Sequence, residues 1–296
     1  MVKNHYLARS INDAFYSDKM EETFVSTDKL IELALNEDLG ETGDVTSEPI
    51  FSAEKHAFKL ISKDTGILCG IGIFKQVMKM VDEKTDIRSY FNDRDNVKIG
   101  DVIADISGKV VSILKAERTA LNFLSMLSAV ATKTAEYVKE AGGRLVILDT
   151  RKTIPGFRQL QKYAVQCGGG SNHRMGLYDM VMIKDNHIDA AGGITAAVNK
   201  IREKWSDRFK IEVETRDLEE VREAVACGVD RIMLDNMDNS EIAAAVKLTE
   251  GKCETEASGN ITLARIKSLT LTGVNFISSG DLTHSIKAFD FSLKEI

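Results

Sequence analysis

The chain has 296 residues, 43% of them apolar and 28% charged, which suits one large core or two unequal domains. A net charge of −6 and an aromatic share of 6% argue against a nucleic-acid partner, because phosphate-backbone binding needs a basic surface. Four cysteines without a C-x-x-C pair suggest neither a zinc site nor a disulfide framework; with no signal-type apolar segment or membrane-length run, a cytoplasmic protein is expected.

In chain order, TDKLIELALNEDLG (residues 27–40) reads as a helix with a Ser/Thr/Asp start and a glycine stop. Between residues 57 and 114 the short apolar segments AFKLIS, GILCGIGI, IRSYF, VIADI and KVVSIL alternate with Gly, Asp and Asn, which predicts strands of a small mixed sheet. One helix, residues 74–81, interrupts them, with Phe74, Val77, Met78 and Val81 on one face. Its M-K-M tripeptide matches biotin carrier domains, but those need the lysine at an exposed hairpin tip, and Lys79 here lies off the apolar face of a helix. AERTALNFLSMLSAVATKTAEYVKEAGG (116–143) is a long helix bridging the domains, with Ala120, Leu124, Leu127 and Ala131 aligned. Arg118 falls at its predicted start, where a cation opposes the helix dipole. Either Glu117 offsets it, or Arg118 serves an anion outside its own barrel, across a subunit boundary.

After Gly143 the pattern changes to short apolar runs that each end in polar residues, mostly separated by helical segments: RLVILDTRK, DMVMIKDN, KIEVET, RIMLDN, CETEASGN and NFISSG. Apolar runs of this kind predict strands buried on both faces, as in parallel sheets. A Rossmann sheet would normally offer G-x-G-x-x-G after its first strand, and none is seen. Polar groups after six successive strands fit an α/β fold with a (β/α) barrel, whose site is built from many strand ends. The candidates at those ends are Asp149, Arg151 and Lys152; Lys184 and Asp185; Glu214; Asp235 and Asn236; Ser258 and Gly259; and Ser279 and Gly280.

Residues 148–187 concentrate cations, from Arg151 and Lys152 through Arg158, Lys162, His173 and Arg174 to Lys184 and His187. In an acidic protein they must face a small anion, and Arg takes phosphate or carboxylate oxygens bidentately. Glu214 and Asp235 offer hard oxygens to Mg²⁺ or acceptors to sugar hydroxyls. The loop ISSGDLTHS could hold a phosphate or be a plain turn and N-cap. The three glycines of CGGGSNHRMG suit a tight backbone approach that presents His173 and Arg174 better than a phosphate cradle. A Schiff-base aldolase using Lys184 and a non-catalytic sugar-phosphate binder remain open at this point.

The segment DTRKTIPGFRQLQKYAVQCGGGSNHRMGLYDMVMIKDNHI resembles the signature region of the quinolinate phosphoribosyltransferase family, also called nicotinate-nucleotide pyrophosphorylase (carboxylating). EDLGETGDVTSEPIF, AERTALNFLSMLSAVAT, IEVET, RIMLDNM, EASGNI and GVNFISSGDLTHS extend the likeness, although Ile154 and Phe157 depart from it. The resemblance implies an open, TIM-like (β/α) barrel of the type II phosphoribosyltransferases over residues 131–284. Beside it would lie a smaller N-terminal α/β sandwich domain over residues 1–130, joined by residues 285–296. It also implies a homodimer whose neighbouring subunit completes each active site, or a hexamer built from such dimers.

The implied reaction joins quinolinate and 5-phosphoribosyl 1-pyrophosphate, with Mg²⁺, into nicotinate mononucleotide, pyrophosphate and CO2 for NAD synthesis. Matching motifs imply that Arg118, Arg151, Lys152, His173, Arg174 and Lys184 meet quinolinate. Lys152, Glu214, Asp235, Ser258, Gly259, Gly280 and His284 would meet the phosphoribosyl substrate, with Glu214 and Asp235 holding Mg²⁺ directly or through substrate or water. Lys152, Lys184, Glu214 and Asp235 are the implied catalytic set.

Overall fold

The computed structural model describes residues 26–296; the first 25 residues of the expected 1–130 domain, where a signal-type segment is not expected, lie outside the described residues. The first part runs α1 (Thr27–Leu39), α2 (Ser47–Ile50), β1 (Lys55–Ser62), β2 (Gly66–Ile67), α3 (Ile71–Val81), β3 (Asp86–Ser89), β4 (Asn96–Val97), β5 (Val102–Lys109) and α4 (Val110–Ala141). Ser26 caps α1 through a 3.2 Å bond from Lys29 N. β1, β5 and β3 pair antiparallel.

Two boundaries differ from the sequence reading. Only Lys109 of KVVSIL is strand; Val110 opens α4, because Val110, Ile113 and Ala116 are buried at helical spacing and the long helix extends back over them. GILCGIGI yields just the two strand residues of β2. Gly70, at φ 99°, turns the chain, and Gly70 N and Ile71 N both donate to Asp93 Oδ1, at 2.8 and 2.9 Å. This remote carboxylate caps α3 where the local sequence has no cap. Lys79 lies on α3, as its periodicity predicts, rather than on a hairpin tip.

The second part contains β6 (Val146–Leu148), α5 (Arg158–Cys167), β7 (Val181–Ile183), α6 (Asp185–Ala191), α7 (Ile194–Trp205), β8 (Ile211–Thr215), α8 (Leu218–Ala226), β9 (Arg231–Asp235), α9 (Asn239–Thr249), β10 (Glu254–Ser258), α10 (Leu263–Leu269), β11 (Phe276–Ser278) and α11 (Asp281–His284). Its six strands are all parallel, in the order β6-β11-β10-β9-β8-β7. The first two strands of the series therefore lie at opposite edges of a curled sheet, and the barrel is open between them. Across that opening a single bridge, Leu148 to Ser171, extends β6. β12 (Phe291–Glu295) leaves the barrel and pairs antiparallel with β1, giving the first sheet the order β12-β1-β5-β3.

The outward face of the barrel strands is apolar: Val213, Ile232, Leu234, Ala257 and Ile277 are fully buried against helices. Each large aliphatic side chain so buried contributes roughly 1.5–3 kcal/mol relative to exposure. α4 packs on α3 at one side and α5 at another, so one helix belongs to both hydrophobic regions. The strands are buried on both faces, as predicted, but they are not uniformly apolar. Along β8 and β10 every second residue, Glu212 and Glu214 and then Glu254, Glu256 and Ser258, carries charge or a hydroxyl and faces the barrel interior, as do Arg231 and Asp235 of β9 on either side of Met233.

Candidate active site in the barrel

The pleat sorts the interior residues into layers. Glu212 of β8 pairs in register with Arg231 of β9, and Arg231 with Glu254 of β10. One step up lie Lys184 at the end of β7, Glu214 on β8 and Glu256 on β10; at the strand ends come Asp235 and Ser258, directly opposite each other.

The lower layer is sealed. Glu212 and Glu256 are fully buried, and His173 Nε2 lies 3.0 Å from Glu212 Oε2 and 3.4 Å from Glu256 Oε2. Arg231 reaches Glu256 at 3.1 Å and Glu254 at 2.9 Å. Burial depresses the His173 pKa, but Glu256 and Glu212 outweigh it and hold the ring up at about 9. Burial, then the neighbouring Glu256, pushes the Glu212 carboxyl up. The other ring nitrogen, Nδ1, accepts Arg174 N at 2.7 Å, which opposes a second ring proton. Such a bond contributes about 1 kcal/mol, less than two buried carboxylates supply. The carboxylates thus favour the ring proton while the Arg174 bond opposes it, and Glu212, Glu254 and Glu256 surround Arg231 and His173.

Above this layer sits the loop that crosses the open seam. Lys162, fully buried on α5, pairs with fully buried Asp149 and donates to His173 O at 2.8 Å, while Asp149 Oδ1 also accepts His173 N at 2.9 Å. Burial raises the Asp149 carboxyl to about 6 against the pull of Lys162, and it lowers the Lys162 ammonium. The three glycines make the predicted close approach: a Cβ on Gly168 would lie 2.3 Å from Ala131 O, and one on Gly170 would lie 2.8 Å from Thr134 Cγ2. They seat the loop on α4.

The loop carries Arg151 and Arg174 into proximity. Burial, and after it the like charge of Arg151, lower the Arg174 pKa. Buried Arg151 Nε has no hydrogen-bond partner, and none of the ion pairs among the described residues involves Arg118, Arg151, Lys152 or Arg174. Asp179 and Glu212 offset part of the charge on Arg174 without pairing with it, so two neighbouring guanidinium groups free of salt bridges form a ready anion site.

Gly280 belongs to the same rim, since a Cβ there would meet His284 Nε2 at 2.9 Å and Lys152 Cδ at 3.0 Å. Gly259 (φ +85°) sits against Asn236, itself left-handed at φ 56°. Asn236 Nδ2 donates to Asp235 Oδ2 at 2.7 Å, and Asn236 N donates to Ser258 O at 3.0 Å, so Asp235, Ser258 and Gly259 form one group. Lys184 Nζ lies 3.3 Å from Glu214 Oε2. It is exposed and ion-paired, unlike the desolvated lysine of a Schiff-base enzyme. Glu214 and Asp235 each keep one oxygen without a protein partner among the described residues, a hard-oxygen pair that suits Mg²⁺.

Arg118 does not join this group by any bond within the described chain. It is exposed on α4, more than two turns after the helix begins at Val110, so the first-turn dipole penalty does not apply. Sequence reasoning missed the roles of Arg158, Gln161 and Lys162. The signal was present: Arg158, Gln161, Lys162 and Val165 share one face of α5 with Leu160, Ala164 and Cys167 flanking, which places polar groups on a buried stripe.

The model of the quinolinate phosphoribosyl transferase C-terminal domain matches residues 130–294, and that of the N-terminal domain matches residues 44–128. The chain belongs to the quinolinate phosphoribosyl transferase family. A probable nicotinate-nucleotide pyrophosphorylase [carboxylating] of Bacillus subtilis is 44% identical over 90% of this chain and 92% of its own length. The chloroplastic nicotinate-nucleotide pyrophosphorylase [carboxylating] of Arabidopsis thaliana is 45% identical over 90% of this chain and 81% of its own. Among solved structures, the nicotinate-nucleotide pyrophosphorylase of Francisella tularensis superposes with a TM-score of 0.88 at 42% identity, covering 92% of this chain and 98% of that one. The family's solved members thus share the open barrel and the smaller sheet domain beside it.

Proposed function

We infer that the chain is a nicotinate-nucleotide pyrophosphorylase (carboxylating): it transfers phosphoribosyl from 5-phosphoribosyl 1-pyrophosphate to quinolinate, with loss of CO2, to give nicotinate mononucleotide for NAD synthesis. The observation that carries this reading is the neighbouring pair Arg151 and Arg174 at the barrel mouth, neither of them in an ion pair among the described residues, which suits the charge of a pyridine dicarboxylate. Family membership at 44% identity over nine-tenths of the chain supports the same reaction.

In this reading Arg151 and Arg174, above the wall formed by His173, hold the two carboxylates and aim the pyridine nitrogen at ribose C1. Lys152, Gly280 and His284 meet the 5-phosphate and pyrophosphate end, and Ser258 and Gly259 border the sugar. Glu214 and Asp235 face the ribose, where their charge stabilises the oxocarbenium-like state as the C1–pyrophosphate bond breaks. Lys184, tethered to Glu214, stands between the acid pair and the dicarboxylate. Glu214 and Asp235 would also hold Mg²⁺, directly or through substrate or water; when bound, the ion neutralises charge on the departing pyrophosphate. Once N–C1 is formed, the positive ring nitrogen stabilises the electron pair left on the adjacent ring carbon as its carboxylate departs as CO2, and that carbon then takes a proton from solvent water. The chain needs no protein nucleophile, so positioning and electrostatics supply the rate.

Arg118, exposed and without an ion pair, serves the quinolinate site of a neighbouring subunit in a homodimer. Among the described residues no helix is long and apolar enough to cross a membrane, which is compatible with a cytoplasmic enzyme. The test incubates the protein with 5-phosphoribosyl 1-pyrophosphate and Mg²⁺, adding quinolinate to one sample and nicotinate to another. Nicotinate mononucleotide and CO2 from quinolinate alone are expected. Product from nicotinate instead would move the chain to a different pyridine substrate, and pyrophosphate release in neither sample would reject the transferase reading.

A further inference from the structure

The open seam poses a problem that the rest of the barrel does not have. Elsewhere a strand ladder on each side fixes the loop after each strand, but residues 149–180 cross the gap between β6 and β7 with the Leu148–Ser171 bridge as their only ladder. Their backbone groups still need partners. Some come from the segment itself, such as Asp179 for Met175 N and Gly176 N, and one helix supplies others. Arg158 donates to Met175 O and to Thr153 Oγ1, both at 3.0 Å. Gln161 Oε1 accepts Ile154 N at 2.8 Å, and Gln161 Nε2 donates to Thr283 O at 2.8 Å. Lys162 holds Asp149 and His173 O, as described. Thr283 in turn donates through Oγ1 to Lys152 O at 2.7 Å.

We propose that the buried polar face of α5 positions both halves of the anion site, Lys162 setting the Arg174 side and Gln161 setting the Lys152–Gly280 side. Both side chains are fully buried, so neither touches a ligand, and both are positioning residues. A stability role does not account for Lys162, because a buried ion pair is rarely more stable than an apolar pair of the same volume. What the pair adds is geometry: one ammonium fixes the carboxylate at the end of β6 and the carbonyl next to Arg174. The neighbouring Gln161 does the same for the 151–157 loop and the loop after β11. Because the two residues are adjacent on one helix, the relative placement of the two ligand halves is set by a rigid element rather than by the loops themselves.

This inference rests on the functional reading above, so its test uses binding, which does not require turnover. Calorimetric Kd values for quinolinate and for 5-phosphoribosyl 1-pyrophosphate would be measured separately for the wild type, for Asp149→Asn/Lys162→Met and for Gln161→Met. The double variant leaves no unpaired charge and is expected to fold. It should weaken quinolinate about tenfold with the other ligand little changed, whereas Gln161→Met should weaken chiefly the phosphoribosyl ligand. Thr283→Val, which removes the hydroxyl bonds to Lys152 O and Gly280 O and leaves the Gln161 bond to Thr283 O, should reproduce the Gln161 pattern and carries that half of the test if Gln161→Met unfolds. Equal weakening of both ligands by each folded variant, or none, overturns the proposal. A wild type that binds both ligands without turnover rejects the reaction but leaves this test standing. One that binds neither overturns the reading and the inference together.

Discussion

Two layers inside one barrel use the same residue types to opposite ends. In the sealed layer Glu212, Glu254 and Glu256 surround Arg231 and His173, and the charges are answered within the protein. At the mouth, Glu214, two residues beyond Glu212 on β8, and Asp235, at the end of β9, face cations that outnumber them, and Arg151 and Arg174 are in no ion pair among the described residues. The difference is one of access to water. A charge that is buried must be answered by the protein, whereas a charge at an opening can wait for a ligand. Composition alone would not separate these roles, since IEVET supplies one glutamate to each layer from positions two residues apart.

The contrast breaks most sharply at Glu256. Glu256→Ala leaves Arg231 and His173 facing an uncompensated deficit, and urea unfolding is expected to show a loss of about 3–5 kcal/mol. The matching change at the mouth, Glu214→Ala, should alter stability by less than about 1 kcal/mol while removing most turnover, because its partner Lys184 is solvated. If the two variants lose similar stability, the layers are not distinct.

Arg151→Ala comes next: kcat/KM for quinolinate should fall at least about 100-fold with Tm nearly unchanged. Near-normal kinetics in that variant would remove the assigned role. A comparable effect concerns pH. His173 is raised from 6.5 to about 9 in the folded chain, so the stability it contributes is complete below pH 6.5 and is lost as pH rises through 9. The full contribution is of the order of 3 kcal/mol, and His173→Gln should flatten this part of the stability profile. An unchanged slope between pH 6.5 and 9 would show that other groups govern it.

Much of this was legible in the sequence, for identifiable reasons. The strand ends from Asp149 to Gly280 could be read because polar residues closing short buried runs have few other places to be. The helical setting of Lys79 followed from periodicity. What stayed hidden depends on contacts distant in sequence. Asp93 caps α3 from 22 residues away. Cys69 and Cys167, which no local spacing would pair, bring their thiols together beside Asp93. The extension of α4 back to Val110 was hidden by β-branched residues that read as strand, where tertiary burial overrode propensity. Lys162 was counted among the ligand cations because charge is visible in a sequence and burial is not.

The pairing of β12 with β1 also constrains the order of events during synthesis. β1 leaves the ribosome more than two hundred residues before β12, and Phe58 must wait for Glu295 to find its neighbour. Until then the eight-residue β1 is itself an edge of the first sheet, with backbone donors and acceptors available to other chains. The smaller sheet thus begins first and finishes last, so its completion reports that the whole barrel has been made. Such a long-range closure is slow relative to local helix formation. A growing chain stalled within the barrel would therefore be prone to aggregate through its first sheet rather than through its unfinished second one.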